Sequence, residues 1–150
     1  MHIGYIEAVH LHQPKGLERI RDALELLNLG RLRIAAKGIA FDPRDQRMFL
    51  NYTDLADDTQ VVSYELVDGV ADPDSRRTVL SIDQPGLGHN GGRLAFDADG
   101  NLYIGSGDGG ASNGWDAQDT SKLLGTLLRI RPLLDGDGYE IPVDNPFADG

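Results

Sequence analysis

Residues 87–110, LGHNGGRLAFDADGNLYIGSGDGG, place one histidine, His89, among eight glycines. An imidazole can accept a proton near neutral pH, so His89 is a candidate general base. Glycine loses more backbone freedom on ordering than other residues, so dense glycine marks tight turns or backbone close to a ligand. A lone loop histidine is more often an exposed turn residue, and the elements around it must therefore decide its role.

Two segments of the chain share one pattern, and the first precedes this stretch while the second lies within it. Residues 38–54, GIAFDPRDQRMFLNYTD, and residues 92–108, GRLAFDADGNLYIGSGD, each read as strand, polar turn and strand. Each segment is therefore predicted to form a β-hairpin. Two further strands are predicted after each hairpin, at residues 59–66 and 76–82 after the first, and at 123–132 and 138–142 after the second.

Four strands per unit, repeated at intervals of ~40 to 55 residues, are typical of β-propeller blades. The sequence thus predicts an all-β fold with blades at about 38–82 and 92–142. Closing a propeller takes roughly four to eight blades, so the chain is expected to be part of a larger one. Blade faces left open would favour self-association. In this topology, the crossover 83–92 and the loop 107–122 emerge at the same end.

Composition excludes several functions. The 150 residues carry a net charge of −10 and no cluster of Lys or Arg, which argues against nucleic acid or an anionic membrane as partner. A neutral small molecule or a cation fits better. There is no cysteine for a disulfide or thiolate metal site, and no apolar run of membrane-spanning length.

The first 37 residues follow a different pattern from the predicted partial propeller, 38–150. Residues 14–30 are predicted to form an amphipathic helix, with Leu17, Ile20, Leu24 and Leu27 at helical spacing. His10 and His12 have the spacing of metal ligands, but exposed side chains near a terminus are the simpler interpretation. The N-terminus lacks the pattern of a secretory signal, so the chain as written is expected to be cytoplasmic.

Three motifs in order resemble one family: HNGGRLAFDADGNLYIGSGDGG, then AQD followed by LLGTLLRI, then IPVDNPF. Over residues 38–149 the chain is similar to the soluble quinoprotein aldose dehydrogenases of the glucose/sorbosone dehydrogenase family. The resemblance implies a six-bladed propeller with pyrroloquinoline quinone (PQQ) and calcium as cofactors. It implies oxidation of an aldose at C1 by hydride transfer to PQQ, an external electron acceptor, and relatives that are periplasmic or secreted.

The resemblance makes His89 the base that removes the C1 hydroxyl proton. Gly88, Gly91 and Gly92 would let the backbone of this loop approach a flat cofactor. Most contacts to PQQ and calcium would come from later blades, so metal ligands remain unassigned and this chain alone is expected to be inactive. Turn formation, capping or partial burial are the structural alternatives for the weaker candidates. The weaker candidates for contact with substrate or cofactor are Asn90, Asp108, Asn113, Trp115, Gln118 and Asp119.

Two other functions remain open at this point. Propellers support many activities, so a non-catalytic module that binds a partner is one alternative. A calcium-dependent lactonase is another, and it would need carboxylates and an asparagine facing the channel.

Overall fold

The computed structural model describes residues 35–110 and 114–147. The predicted helix 14–30, His10, His12 and Asn113 lie outside the described residues, and the boundary between 37 and 38 stays a prediction. The described chain forms two four-stranded antiparallel sheets, so the predicted all-β fold is confirmed. In chain order the strands are β1 (Ala35–Phe41), β2 (Met48–Thr53), β3 (Thr59–Tyr64), β4 (Leu66–Val67), β5 (Val70–Ala71), β6 (Arg77–Ile82), β7 (Gly91–Phe96), β8 (Leu102–Ser106), β9 (Leu127–Pro132) and β10 (Tyr139–Glu140).

Each sheet keeps its strands side by side in chain order. The first sheet runs β1-β2-β3-β6 and the second runs β7-β8-β9-β10, while β4 and β5 form a small ribbon between β3 and β6. Within the described residues, no helix has the length and apolar character needed to cross a membrane.

The two hairpins close in the same register. Phe41 pairs with Met48 in the first hairpin and Phe96 pairs with Leu102 in the second. An aspartate follows the first strand of each hairpin, and its carboxylate accepts backbone N–H groups of the turn, as short polar side chains do in turns. The duplicated sequence is therefore a duplicated structure.

The sheets stack on each other through a shared apolar core. Phe49 of the first sheet meets Phe96 of the second edge to face, with ring centroids 4.9 Å apart. Leu102 and Ile104 of β8 are fully buried on the same side. Burying such a side chain stabilises the fold by roughly 1.5–3 kcal/mol, so this core holds the two sheets together.

Strands β1 and β7 lie against each other, and each carries a bulge at the contact between them. The pairing register shifts between Ala36 and Gly38 in β1, and between Gly91 and Arg93 in β7. A Cβ on Gly38 would overlap the carbonyl oxygen of Gly92. Glycine is thus required here for contact between backbones, and this contact fixes the start of β7, just after His89.

Candidate functional site

His89 and Asp108 are brought together by strand pairing. His89 lies two residues before β7 and Asp108 lies two residues after β8. Because β7 and β8 are antiparallel, the start of one lies beside the end of the other, with Gly91 paired to Ser106. Just beyond the paired residues of β7 and β8, His89 Nδ1 lies 3.0 Å from Asp108 Oδ1.

The contact with Asp108 fixes the orientation of the His89 imidazole. A carboxylate only accepts hydrogen bonds, so Nδ1 carries the proton and Nε2 keeps its lone pair in the neutral ring. The His89 side chain is 72% exposed, whereas that of Asp108 is 24% exposed. Asp108 Oδ1 also accepts the backbone N–H of Gly110 at 3.0 Å. Asp108 therefore forms the turn expected of it and orients His89 as well.

The glycines explain how the histidine is presented. A Cβ on Gly107 would overlap the carbonyl oxygen of His89, and the N–H of Gly109 donates to that oxygen at 3.2 Å. His89 has φ of +59°, which is uncommon for a residue other than glycine and costs on the order of 1 kcal/mol or more. Strained backbone of this kind clusters at functional sites.

Asn90 anchors the crossover to the first sheet. It is almost fully buried, and its side-chain amide donates to Thr53 Oγ1 at 3.3 Å and to the carbonyl of Asp57 at 3.1 Å. Its Oδ1 is buried without a hydrogen-bond partner among the described residues. Asn90 thus positions the loop that carries His89.

The remaining sequence candidates lie on a short 3-10 helix, Trp115–Gln118, and just after it. Trp115 is 77% exposed rather than half-buried, and Gln118 is exposed. Asp119 accepts hydrogen bonds from the hydroxyl and the backbone N–H of Ser121, and these bonds lower the pKa of its carboxyl. Asp119 therefore forms a turn with Ser121. Among the described residues, no hydrogen bond joins these three side chains to His89 or Asp108.

Lys37 is a further candidate for the site that was not predicted from the sequence. It is exposed at the bulge of β1, and its side chain lies over Gly92. Aligning the two copies of the repeat could have indicated this residue, because Lys37 in the first copy occupies the position of Gly92 in the second. The structure adds a cation beside the glycine-lined crossover.

The chain matches one protein-family model over most of its length. The model for glucose/sorbosone dehydrogenase matches residues 36–150. This chain belongs to the glucose/sorbosone dehydrogenase family. The matched residues include both sheets, the crossover with His89 and the loop with Asp108.

Curated relatives and solved structures agree with this family and its propeller fold. The chain is 37% identical over 111 residues to aldose sugar dehydrogenase YliI of Escherichia coli, covering 69% of this chain and 28% of that protein. It matches the crystal structure of the apo-form of soluble aldose sugar dehydrogenase from E. coli with a TM-score of 0.62 and 31% identity, over 78% of this chain and 34% of that one. The chain thus spans about a third or less of these relatives' length.

A relative with a bound cofactor is also similar. The PQQ-bound aldose sugar dehydrogenase of Streptomyces coelicolor matches with a TM-score of 0.55 and 30% identity, over 67% of this chain and 31% of that one. A plant relative, the HIPL1 protein of Arabidopsis thaliana, is 33% identical over 92 residues, 53% of this chain and 13% of that protein.

The residues at the crossover fit one edge of an anionic, planar cofactor such as PQQ. Lys37 offers a cation, and Asn51 is fully buried beside Gly92 with both side-chain polar atoms unpartnered among the described residues. Buried amides of this kind normally find a partner, so an unmet donor and acceptor suit a ligand or water. Calcium has no such support, because the described residues contain no group of three or more His, Cys, Asp or Glu placed to hold a metal.

Proposed function

We propose that this chain carries the proton-accepting loop of a PQQ-dependent aldose sugar dehydrogenase. The observation that supports this most is the pair formed by His89 and Asp108 on a glycine-rich crossover, in a chain of the glucose/sorbosone dehydrogenase family. A histidine oriented by a carboxylate is a well-placed general base.

The reaction oxidises the C1 hydroxyl of an aldose to a lactone. Bound PQQ would supply the acceptor for the hydride that leaves C1, and an external acceptor would take up the electrons. His89 takes the hydroxyl proton on Nε2 as the C1–O bond becomes a carbonyl. Asp108 holds the Nδ1 proton, which keeps the ring in the tautomer that accepts at Nε2. Proton and hydride thus leave the sugar toward different groups.

Lys37 and the backbone around Gly91 and Gly92 would hold one edge of the cofactor. The carboxylates of PQQ favour a cation, which Lys37 offers. The remaining cofactor contacts and the calcium ligands would come from regions of the relatives that this chain does not span. The isolated chain is therefore expected to have no dehydrogenase activity.

The test grafts residues 36–150 into the corresponding part of the E. coli aldose sugar dehydrogenase, which supplies the rest of the propeller. The graft is loaded with PQQ and calcium and assayed with an aldose and a dye acceptor. A positioned base contributes about 100- to 10,000-fold in rate, so His89→Ala should lower kcat by that factor. His89→Gln should be nearly as impaired, because a carboxamide takes no proton at neutral pH.

Asp108→Asn separates orientation from proton transfer. It should lower kcat by about 10- to 100-fold, less than His89→Ala, because the base remains but its tautomer is no longer fixed. Asp83→Asn, an exposed carboxylate on the same crossover, is the control and should leave kcat within about twofold. PQQ affinity, titrated separately, should change little in all of these variants. An active graft whose kcat survives His89→Ala would contradict the proposal and leave His89 as a turn residue.

A further inference from the structure

Gln84, near the start of the crossover 83–92, is tied to the first sheet. Its backbone N–H donates to Asp58 Oδ1 at 2.8 Å, and its side-chain amide donates to Thr59 Oγ1 at 2.9 Å. Thr59 is the first residue of β3 and is only 1% exposed. A hydrogen bond to a hydroxyl that is shielded from water is stronger than one at the surface, so this contact holds the start of the crossover in place.

Asn90, at the other end of the crossover, is tied to the same part of the first sheet. Its side-chain amide donates to Thr53, the last residue of β2, and to a carbonyl of the turn 54–58 that follows. Thr53 and Thr59 are paired directly across β2 and β3, so their side chains share a face of the sheet. Both ends of the loop that carries His89 are thus bound beside one turn of the first sheet.

The turn 54–58 is braced from within. Asp54 Oδ1 accepts the backbone N–H groups of Ala56 and Asp58 at 2.9 and 3.1 Å, and Asp54 Oδ2 accepts the side-chain amide of Gln60 at 3.0 Å. The backbone N–H of Asp54 donates to the carbonyl of Asp58 at 2.9 Å. A turn with these internal bonds keeps its shape, so it can fix a loop that is bound to it.

The crossover also packs against the loop that carries Asp108. A Cβ on Gly109 would overlap the ring of Pro85, and the N–H of Gly109 donates to the carbonyl of His89 at 3.2 Å. Gly109 therefore lies between the start of the crossover and the backbone of His89. A shift of the crossover would for this reason move His89 relative to Asp108.

We propose that the hydroxyls of Thr53 and Thr59 are positioning groups for His89. They act through the two amide side chains at the ends of the crossover, and they hold the imidazole where Asp108 orients it. The effect on catalysis rests on the proposed function, whereas the orientation of the ring is a property of this chain alone. Misplacing a reacting group by about 1 Å can cost on the order of 100-fold in rate, so residues far from the chemistry can matter to it.

Replacing both threonines by valine tests the proposal in the full 150-residue chain, because valine removes the hydroxyl and keeps the branched shape. The ring ¹⁵N shifts of neutral His89 show which nitrogen carries the proton. The parent should carry it on Nδ1, and Thr53→Val with Thr59→Val should give a mixture of both tautomers. Exchange of the Gly109 N–H with solvent should become at least about tenfold faster through local opening, and exchange of the Ile104 N–H, in the core, about twofold faster or less.

A rescue and a control accompany the double valine variant. Thr53→Ser with Thr59→Ser restores both hydroxyls and should return the tautomer and the exchange of Gly109 to those of the parent. Thr78→Val removes a partly buried hydroxyl from β6 of the same sheet, where Thr78 pairs with Val62 and accepts a hydrogen bond from the Arg76 side chain. It should change neither measurement.

The same variants in the active graft separate this proposal from the proposed function. The double valine variant should lower kcat by about 10- to 100-fold, with KM for the aldose and PQQ affinity changed by about twofold or less. If His89→Ala lowers kcat and the double valine variant does not, the positioning role is wrong and the proposed function stands. If His89→Ala leaves kcat unchanged, the proposed function fails, and the tautomer and exchange measurements still decide the positioning role.

Two results in the 150-residue chain would overturn the proposal. One is a double valine variant that keeps its proton on Nδ1 and exchanges Gly109 at the rate of the parent. The other is a parallel rise in exchange at Gly109 and Ile104, which would mean that the hydroxyls stabilise the whole fold rather than the loop. If the double variant does not fold, Thr53→Val and Thr59→Val are measured singly against the same two results.

Discussion

Phe49 and Tyr103 occupy equivalent positions in the two hairpins and have different surroundings. Phe49 is 2% exposed and packs on Phe96 of the second sheet. Tyr103 is only partly buried and lines an open cavity together with Leu127 and Phe147. The strand pattern sets which side chains share a face, whereas the neighbouring layer decides whether that face is buried.

The connections differ even more than the faces. In the first sheet β2 and β3 are joined by the five-residue turn 54–58, whereas in the second sheet β8 and β9 are joined by residues 107–126. The long connection carries Asp108 and the exposed Trp115. Rigid strands thus recur between the copies, while the loops vary and carry the candidate chemistry, as is usual for binding and catalytic residues.

Truncating the two equivalent aromatic residues gives the largest expected contrast. Phe49→Ala should lower the free energy of unfolding by about 3–5 kcal/mol, because it leaves a cavity between the sheets. Tyr103→Ala should cost about 1 kcal/mol, because its ring already lies partly in solvent. Urea unfolding of the 150-residue chain measures both, with Phe49→Leu as a milder variant. Equal losses would mean that the open face is covered in solution.

The sequence predicted what repeats in this molecule. The apolar patterns at Ile39–Phe41 and Leu94–Phe96 were sufficient to predict the two hairpins. Strand register depends on which face of the strand carries the apolar residues. The pairing of His89 with Asp108 was not predicted, because Asp108 among glycines is equally expected of a turn. Only the β7–β8 ladder brings these residues, 19 positions apart, within hydrogen-bond distance.

Two glycines, Gly105 in β8 and Gly107 just after it, test how the histidine loop is held. A Cβ on Gly107 would overlap the His89 carbonyl, whereas one on Gly105 would come no closer than 4.0 Å to the side chain of Arg93. Gly107→Ala should therefore lower the free energy of unfolding by about 1–3 kcal/mol through overpacking. Gly105→Ala, the matched control, should cost less than about 0.5 kcal/mol. Thermal unfolding measures the difference, and a Gly107→Ala variant as stable as Gly105→Ala would mean that the loop is not held as described.

The smallest effect concerns the two aspartates that open the hairpin turns. Asp42 binds the Arg44 guanidinium, whereas Asp97 accepts the side-chain amide of Asn101 at 2.8 Å and the backbone N–H groups of Asn101 and Asp99. These bonds favour the carboxylate and lower the pKa of Asp97, with the Asn101 side chain the largest cause. An unfolded aspartate titrates near pH ~3.9.

A pKa that is lower in the folded chain gives a contribution to stability that is complete above pH ~4 and is lost as the pH falls through the folded pKa. Asp97→Asn should therefore be less stable than the parent chain at pH 7, and this difference should shrink as the pH falls below ~4. Asp99→Asn, at an exposed carboxylate in the same turn, should follow the parent at every pH. Urea unfolding at pH 7, 4 and 3 measures this. A difference between Asp97→Asn and the parent that stays constant down to pH 3 would show that the second turn does not depend on the charge of Asp97.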